Sequence, residues 1–399
     1  MKTKATMVAA AFLLLGMAIF SFNCGGGGGS SSVERLAFYT STTGPGDLSS
    51  WTEVSGSGLS GLEAADAICN TRAAAAGLDG TFVAWLSDQS HDAYCRVHGM
   101  SGKKSANCGQ GTLPAEAGPW FRTDGTPFSG RIDQLTDSYV QYSPMRYDEF
   151  GIRSSLNLGF WTGTDSFGAW SMDNCSDWSD STSTVLNVFL GTNHGVGGGW
   201  TAGNMTQNCS SPNNLLCLEL GTNNTSPDPQ AAGKTVFTTS VNGSGNLGSW
   251  PEAGGNTGLA AGDAICRSLA ATAGLSNAGS FRAWLSDSGS NAVGRLNSDG
   301  PWVRVDGMMV AESKSALVNS WLLTAINVDE NGDYDEGDPN WTGTLSTGNK
   351  SIYHCSDWTS SSGSDLAFYG YSGRADGSGW STFNTIPCSI NLPFYCFED

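Results

Sequence analysis

Read as a string of hydrophobic and polar positions, the chain opens with Lys2 and Lys4 ahead of an apolar run from Ala5 to Phe20 that ends at small and polar residues. A basic start followed by a short apolar core predicts a signal peptide over 1–23, and the run is too short for a membrane span. Further on, Leu62, Ala65, Ile68, Cys69 and Arg72 fall at helical spacing, and Ala73–Ala76 extend a run of helix formers that Gly77 stops. Leu259, Ile265, Cys266 and Leu269 carry the same pattern before Gly274. After each helix comes a short apolar segment preceded by glycine, TFVAWLS at 81–87 and SFRAWLS at 280–286, which reads as a buried strand. Lys314–Ile326 predicts a second helix in the later half, and the remainder reads as short strands and long polar loops. Helix early and strands late predict an α+β fold.

These paired patterns belong to a duplication. FYTSTTGPGDLSSW at 38–51 matches FTTSVNGSGNLGSW at 237–250, and GLEAADAICNTRAAAAGLDGTFVAWLSD at 61–88 matches GLAAGDAICRSLAATAGLSNAGSFRAWLSD at 258–287. GPWFRTDG at 118–125 answers GPWVRVDG at 300–307, WTGT recurs at 161–164 and 341–344, and CSDW at 175–178 and 355–358. The endings LLCLEL (215–220) and FYCFED (394–399) also correspond. A period this long predicts two domains in series rather than a solenoid, with the Gly/Pro/Asn-rich segment 221–234 as linker.

Composition narrows the classes of function. The 399 residues carry 19 Lys+Arg against 37 Asp+Glu, a formal charge of −18, and only 14% of positions are charged. No basic face is available to displace counterions, so no nucleic-acid partner is expected. There are 11 cysteines, an odd number for an exported chain. Setting Cys24 aside, Cys69, Cys175, Cys209 and Cys217 align in order with Cys266, Cys355, Cys388 and Cys396. Cys95 and Cys108 border an insertion that the second copy lacks, and predict a local disulfide. Four cysteines per copy allow three pairings, which the sequence leaves open. No Cys-x-x-Cys is present, which speaks against thioredoxin chemistry and zinc ribbons.

Ser21-Phe22-Asn23-Cys24 resembles a bacterial lipoprotein signal in its relaxed, spirochaetal form. That resemblance implies lipidation of Cys24, with Gly25–Gly29 and Ser30–Ser32 inside a flexible tether over 24–35. In each copy, Ala-Asp or Gly-Asp three residues before a helical cysteine, then Gly-Leu, Phe-x-Ala-Trp-Leu-Ser and Cys-Ser-Asp-Trp, resemble endostatin, the C-terminal fragment of collagens XV and XVIII. Together with the lipoprotein signal, the whole is similar to the leptospiral endostatin-like outer-membrane lipoproteins, with one such domain at 36–220 and another at 235–399. The resemblance implies a C-type-lectin-like fold and nested disulfides: outer Cys69–Cys217 and Cys266–Cys396, inner Cys175–Cys209 and Cys355–Cys388. It also implies a surface adhesin, held in the outer membrane by lipid alone, that binds host matrix proteins such as laminin and fibronectin, and serum complement regulators. The zinc and heparin binding of endostatin are not carried over. Neither copy has the N-terminal histidines, and Arg122, Arg131, Arg146, Arg153, Arg304 and Arg374 are scattered along the sequence.

Of the histidines, His91, His98, His194 and His354, none forms a His-Glu-x-x-His motif, and no nucleophile elbow or phosphate loop occurs. No catalytic residues are expected. One acidic segment suggests a metal: Asp329, Asn331, Asp333 and Asp335 offer oxygen ligands at alternate positions, the spacing by which a turning loop wraps calcium. A calcium site in the second domain is therefore an expectation. Asp338-Pro339-Asn340 adds the alternative of a calcium-dependent carbohydrate-binding lectin, and a structural envelope lipoprotein is a third reading. Trp161, Trp178, Trp200, Trp341, Trp358 and Trp380 recur at matched positions and are expected in the cores.

Overall fold

The computed structural model describes residues 34–399 except 172, 185–187, 204, 224 and 320. The expected signal peptide, the expected lipidation site at Cys24 and the expected tether up to residue 33 lie outside the described residues. The first half supplies strands β1 (Arg35–Tyr39), β2 (Phe82–Ala84), β3 (Trp120–Arg122), β4 (Pro127–Ser129), β5 (Gly159–Trp161), β6 (Val188–Thr192), β7 (Met205–Gln207) and β8 (Asn214–Glu219). They form a mixed sheet in the order β4-β3-β1-β8-β5-β6-β7, with β2 also paired to β8. β1 runs parallel to β3 and antiparallel to β8, and β5 joins β8 in parallel.

The second half supplies β9 (Lys234–Thr238), β10 (Phe281–Ala283), β11 (Trp302–Arg304), β12 (Met309–Ala311), β13 (Pro339–Trp341), β14 (Leu366–Tyr371), β15 (Asn384–Pro387) and β16 (Tyr395–Glu398). Their order, β10-β16-β9-β11-β12 and β13-β14-β15, follows the same plan. A parallel bridge between Trp341 and Phe394 stands where β5 meets β8 in the first half. The protein is thus a mixed α/β structure, compatible with an α+β class.

The long helices, Gly61–Ala75 and Gly258–Thr272, each end at a left-handed glycine, Gly77 (φ +71°) and Gly274 (φ +73°). The face of the first is made of Ala64, Ala65, Ile68, Cys69 and Ala73, small enough to lie close against the sheet. Asp66 on that helix accepts the Ala84 N–H at 2.9 Å and Arg96 at 2.5 Å, while Arg96 donates to Ala84 O and Leu86 O. Asp263 and Arg295 repeat this lock on Ala283 and Leu285. One turn later Cys69 is bonded to Cys217 of β8, which faces Phe38 and Ala84. Cys266 is bonded to Cys396 of β16 between Phe237 and Ala283.

Three more disulfides, Cys175–Cys209, Cys355–Cys388 and Cys95–Cys108, complete the set. The CSDW segments are left-handed helical turns, with φ between 49° and 64° at all eight residues. Each is held by its tryptophan: Trp178 Nε1 donates to Ser87 O and Trp358 Nε1 to Ser286 O. All six recurring tryptophans are buried, and they pair as Trp161–Trp178 and Trp341–Trp358, with Trp200 against Trp85 and Trp380 against Trp284.

One expected element is shorter than its pattern. The helix begins at Lys314 but ends at Asn319, and Leu322–Ile326 is not helical. There the Leu322 N–H donates to Ala375 O of the same half, while the contact with the first half is made by Arg146, which donates to Leu322 O, and by Thr324 Oγ1, which donates to Tyr142 O. The linker is docked at both ends, with Asn223 N–H donating to Gly118 O and Ala231 N–H to Gly307 O. Among the described residues, no helix is long and apolar enough to cross a membrane.

Candidate functional site: the cleft and loops between the halves

Two equivalent loops build the contact between the halves, GTNHGVGGGW at 191–200 and GYSGRADGSGW at 370–380. Each folds back on its own tryptophan. A Cβ at Gly191 would lie 2.0 Å from Trp200 O, and one at Gly370 would lie 1.9 Å from Trp380 O, so only glycine permits the approach. The loops then meet side by side. Val196 N–H donates to Gly373 O at 2.8 Å and Ala375 N–H to His194 O at 3.0 Å, and Val196 is buried among residues of the second half.

Beside this contact opens a cleft of about 470 Å³. Its walls carry Glu336 and Asp338, both exposed and, among the described residues, in no salt bridge. Next to them stand Tyr371 and Phe383, packed edge to face at 4.7 Å. Arg374, also on the wall, is neutralised by Asp376 at 2.7 Å and lies over the Phe383 ring. The free charge of the cleft is therefore negative, and its apolar surface is aromatic. A cationic group fits such a surface through carboxylates and ring faces together. His194 lines the cleft while only 3% exposed, and its Nδ1 has no hydrogen-bond partner. Burial lowers its pKa to about 4, with Asp376 opposing and Arg374 and Arg146 adding to the fall, so the ring is neutral near pH 7.

The residues expected to bind calcium are put to other uses. Asp329 Oδ1 accepts the Asn331 and Asp333 N–H groups at 2.8 and 3.0 Å, closing a tight turn. Glu330 accepts both the N–H and the hydroxyl of Ser240. Asp335 Oδ1 accepts Ser372 Oγ and the Gly337 N–H, while the side chains of Asn331 and Asp333 sit in exposed loop positions. Among the described residues, no group of three or more His, Cys, Asp or Glu side chains is placed to hold a metal ion. The alternating oxygens reflect a turn motif, because the first half builds the same turn. Asp148 Oδ1 accepts the Phe150 and Ile152 N–H groups, both at 2.9 Å, and Glu149 accepts Ser41.

On that shared turn the surfaces differ. The first half exposes Phe150, Ile152 and Leu156, at 49%, 62% and 68%, where the second half carries Asn331, Asp333 and Glu336. Sequence reading passed over these apolar loop residues and His194. Their signal was the mismatch between two otherwise matched segments. His91 is paired with Asp88, and His98 Nε2 accepts the Ala117 N–H, so neither is placed as a metal ligand. A comparison with known protein families matches none of them, and a comparison with curated proteins finds no match.

Proposed function

We propose that this protein is a lipid-anchored surface adhesin of endostatin-like, C-type-lectin-like build, binding host matrix proteins such as laminin and fibronectin and complement regulators from serum. The observation that carries the reading is the pair of matched turns at Asp148 and Asp329. A scaffold stapled by disulfides holds them alike, yet one presents apolar side chains and the other polar and acidic ones. Exposed Phe150, Ile152 and Leu156 on a rigid turn have no role in the core and suit a protein partner. The acidic cleft adds a second surface, complementary to a basic segment of the same partner. Recognition is the reading that these exposed surfaces support.

The test is capture of laminin, fibronectin and complement regulators from matrix extract and serum by the purified full chain. Saturable capture, weakened by Ile152→Asp with Leu156→Asp, is the expected result. Failure of the native chain to retain any matrix or serum protein above an unrelated acidic protein would falsify the adhesin reading.

A further inference from the structure

Arginines scattered in the sequence gather in the fold. Arg122, Arg146 and Arg153 of the first half line one small pocket of about 180 Å³, closed from the other side by Met308, Met309 and Leu323 of the second half. Arg122 is neutralised, since its Nε and Nη2 reach Asp124 at 3.1 and 2.7 Å and its Nη1 donates to Pro144 O. Arg146 is not. It is only 3% exposed, its Nη1 donates to Leu322 O at 3.2 Å, its Nε has no partner, and it forms no ion pair among the described residues. The face of Trp321, 4.0 Å away, offers a ring quadrupole but no countercharge. Arg153, exposed at the pocket's edge, likewise has no salt bridge among the described residues.

A buried guanidinium without a carboxylate is costly, and like charges nearby raise that cost. Burial, and then repulsion from Arg153 and Arg122, lowers the pKa of Arg146 to about 9, against a weaker opposing pull from Tyr147 and from Asp376, a carboxylate already paired with Arg374. In a chain of net charge −18, with 37 carboxylates available, the site is left with an excess of positive charge. We propose that the pocket framed by Arg122, Arg146 and Arg153 binds one small oxyanion, a phosphate or a carboxylate group, between the two halves. Its volume suits a single such group rather than an extended polyanion. The planar forks of Arg146 and Arg153 supply donors for two oxygens, and the methionines and Leu323 exclude water from the remaining side. The inference is independent of which protein, if any, the outer loops bind.

The test is thermal melting and calorimetry of the full chain with inorganic phosphate, and separately with acetate, each against chloride at equal ionic strength. A saturable rise in Tm with phosphate, acetate or both is expected, and the responsive anion identifies the ligand. Arg153→Gln, a substitution of an exposed side chain, should weaken that affinity about tenfold or more. Arg146→Met should melt higher than the native chain in chloride, because it removes an uncompensated buried charge, and should lose the anion response. A response to phosphate and acetate no greater than to chloride, or one that survives both substitutions unchanged, overturns the proposal.

Discussion

Gly195 and Arg374 face each other in an antiparallel bridge that joins the halves of the chain. The hydrogen bonds on either side run from Val196 to Gly373 and from Ala375 to His194, and the repeat pairs Val196 with Ala375 and His194 with Gly373. The contact is therefore isologous: one loop, used twice, bonds to its own counterpart, as in a symmetric dimer. Only one of the two loops carries an imidazole. His194 is thus a buried titratable group at the centre of the contact, without a hydrogen bond to Nδ1.

From this follows a pH dependence with two opposing parts. His194 has an ordinary pKa of 6.5, lowered to about 4 by burial. As pH falls from 6.5 towards 4 the unfolded chain gains a proton that the folded chain refuses, so stability is lost, by on the order of 3 kcal/mol. Asp335 works the other way. Its carboxyl lies against Ser372 within the fold, and burial, with repulsion from Asp338, raises its pKa from 3.8 to about 7. The stability it contributes is full below pH 3.8 and is lost as pH rises through 7. In the native chain the two slopes offset each other. His194→Gln should gain Tm relative to the native chain at pH 4.5 but not at pH 7.5, and Asp335→Asn should gain at pH 8 but not at pH 4. Melting curves of the variants that run parallel to the native profile across that range would sink both assignments.

The elements legible in the sequence were those whose residues repeat. The Asp three residues before the helical cysteine recurs because Asp66 and Asp263 lock helix to strand through Arg96 and Arg295. The tryptophans recur because they fill both cores. What could not be read depended on tertiary contacts and on the placement of backbone donors. Leu322–Ile326 has helical periodicity, but its backbone bonds to Ala375 and Val310, and Leu322, Ala325 and Ile326 are buried in the core of their own half, which Val196 of the first half joins. Likewise the oxygen spacing of Asp329, Asn331, Asp333 and Asp335 is common to an ion-binding loop and to an Asp-anchored turn. Only the positions of the N–H donors separate the two. The arginine pocket was illegible because Arg122, Arg146 and Arg153 meet through tertiary contacts alone.

The helix–strand lock should be costly to open. Arg295 donates to Ala283 O at 2.7 Å, Leu285 O at 3.1 Å and Asp263 at 2.5 Å, and both side chains are nearly buried. Arg295→Ala leaves Asp263 with only the Ala283 N–H and the more distant Arg282, and takes a donor from two carbonyls, at a cost of about 3 kcal/mol. Urea unfolding at neutral pH measures it. A loss comparable to that of Arg267→Ala, at a half-buried arginine in no salt bridge among the described residues, contradicts the assignment.

The left-handed CSDW turns offer the opposite sign. Ser356 is exposed at φ 51° and ψ 58°, a conformation that costs a non-glycine residue about 1 kcal/mol. Its backbone is fixed by Cys355–Cys388 and by Trp358, so relieving the strain need not move the turn. Ser356→Gly, and Ser176→Gly in the first half, should each stabilise the protein by up to about 1 kcal/mol after the entropy of the unfolded glycine is deducted. A drop in Tm would mean that the turn is not left-handed in solution.

The disulfides should rank by the length of chain they close. Cys266 and Cys396 are 130 residues apart and join helix to central strand, whereas Cys95 and Cys108 are 13 apart and close only the insertion of the first half. The chain-entropy relation gives about 5 kcal/mol for the former and about 3 kcal/mol for the latter. Position adds to the difference. Both sulfurs of the long bridge sit in the core, that of Cys396 on the strand between Phe237 and Ala283, so replacing them with serine also places two hydroxyls among apolar side chains. Replacing Cys95 and Cys108 with alanine leaves the sheet register untouched, and such a variant should fold with a modestly lowered Tm and unaltered ligand capture. The Cys266→Ser, Cys396→Ser variant should lose the cooperative transition of the second half at 37 °C, read as early loss of near-ultraviolet circular dichroism from its buried tryptophans. Equal melting temperatures for the two double variants would contradict this ranking.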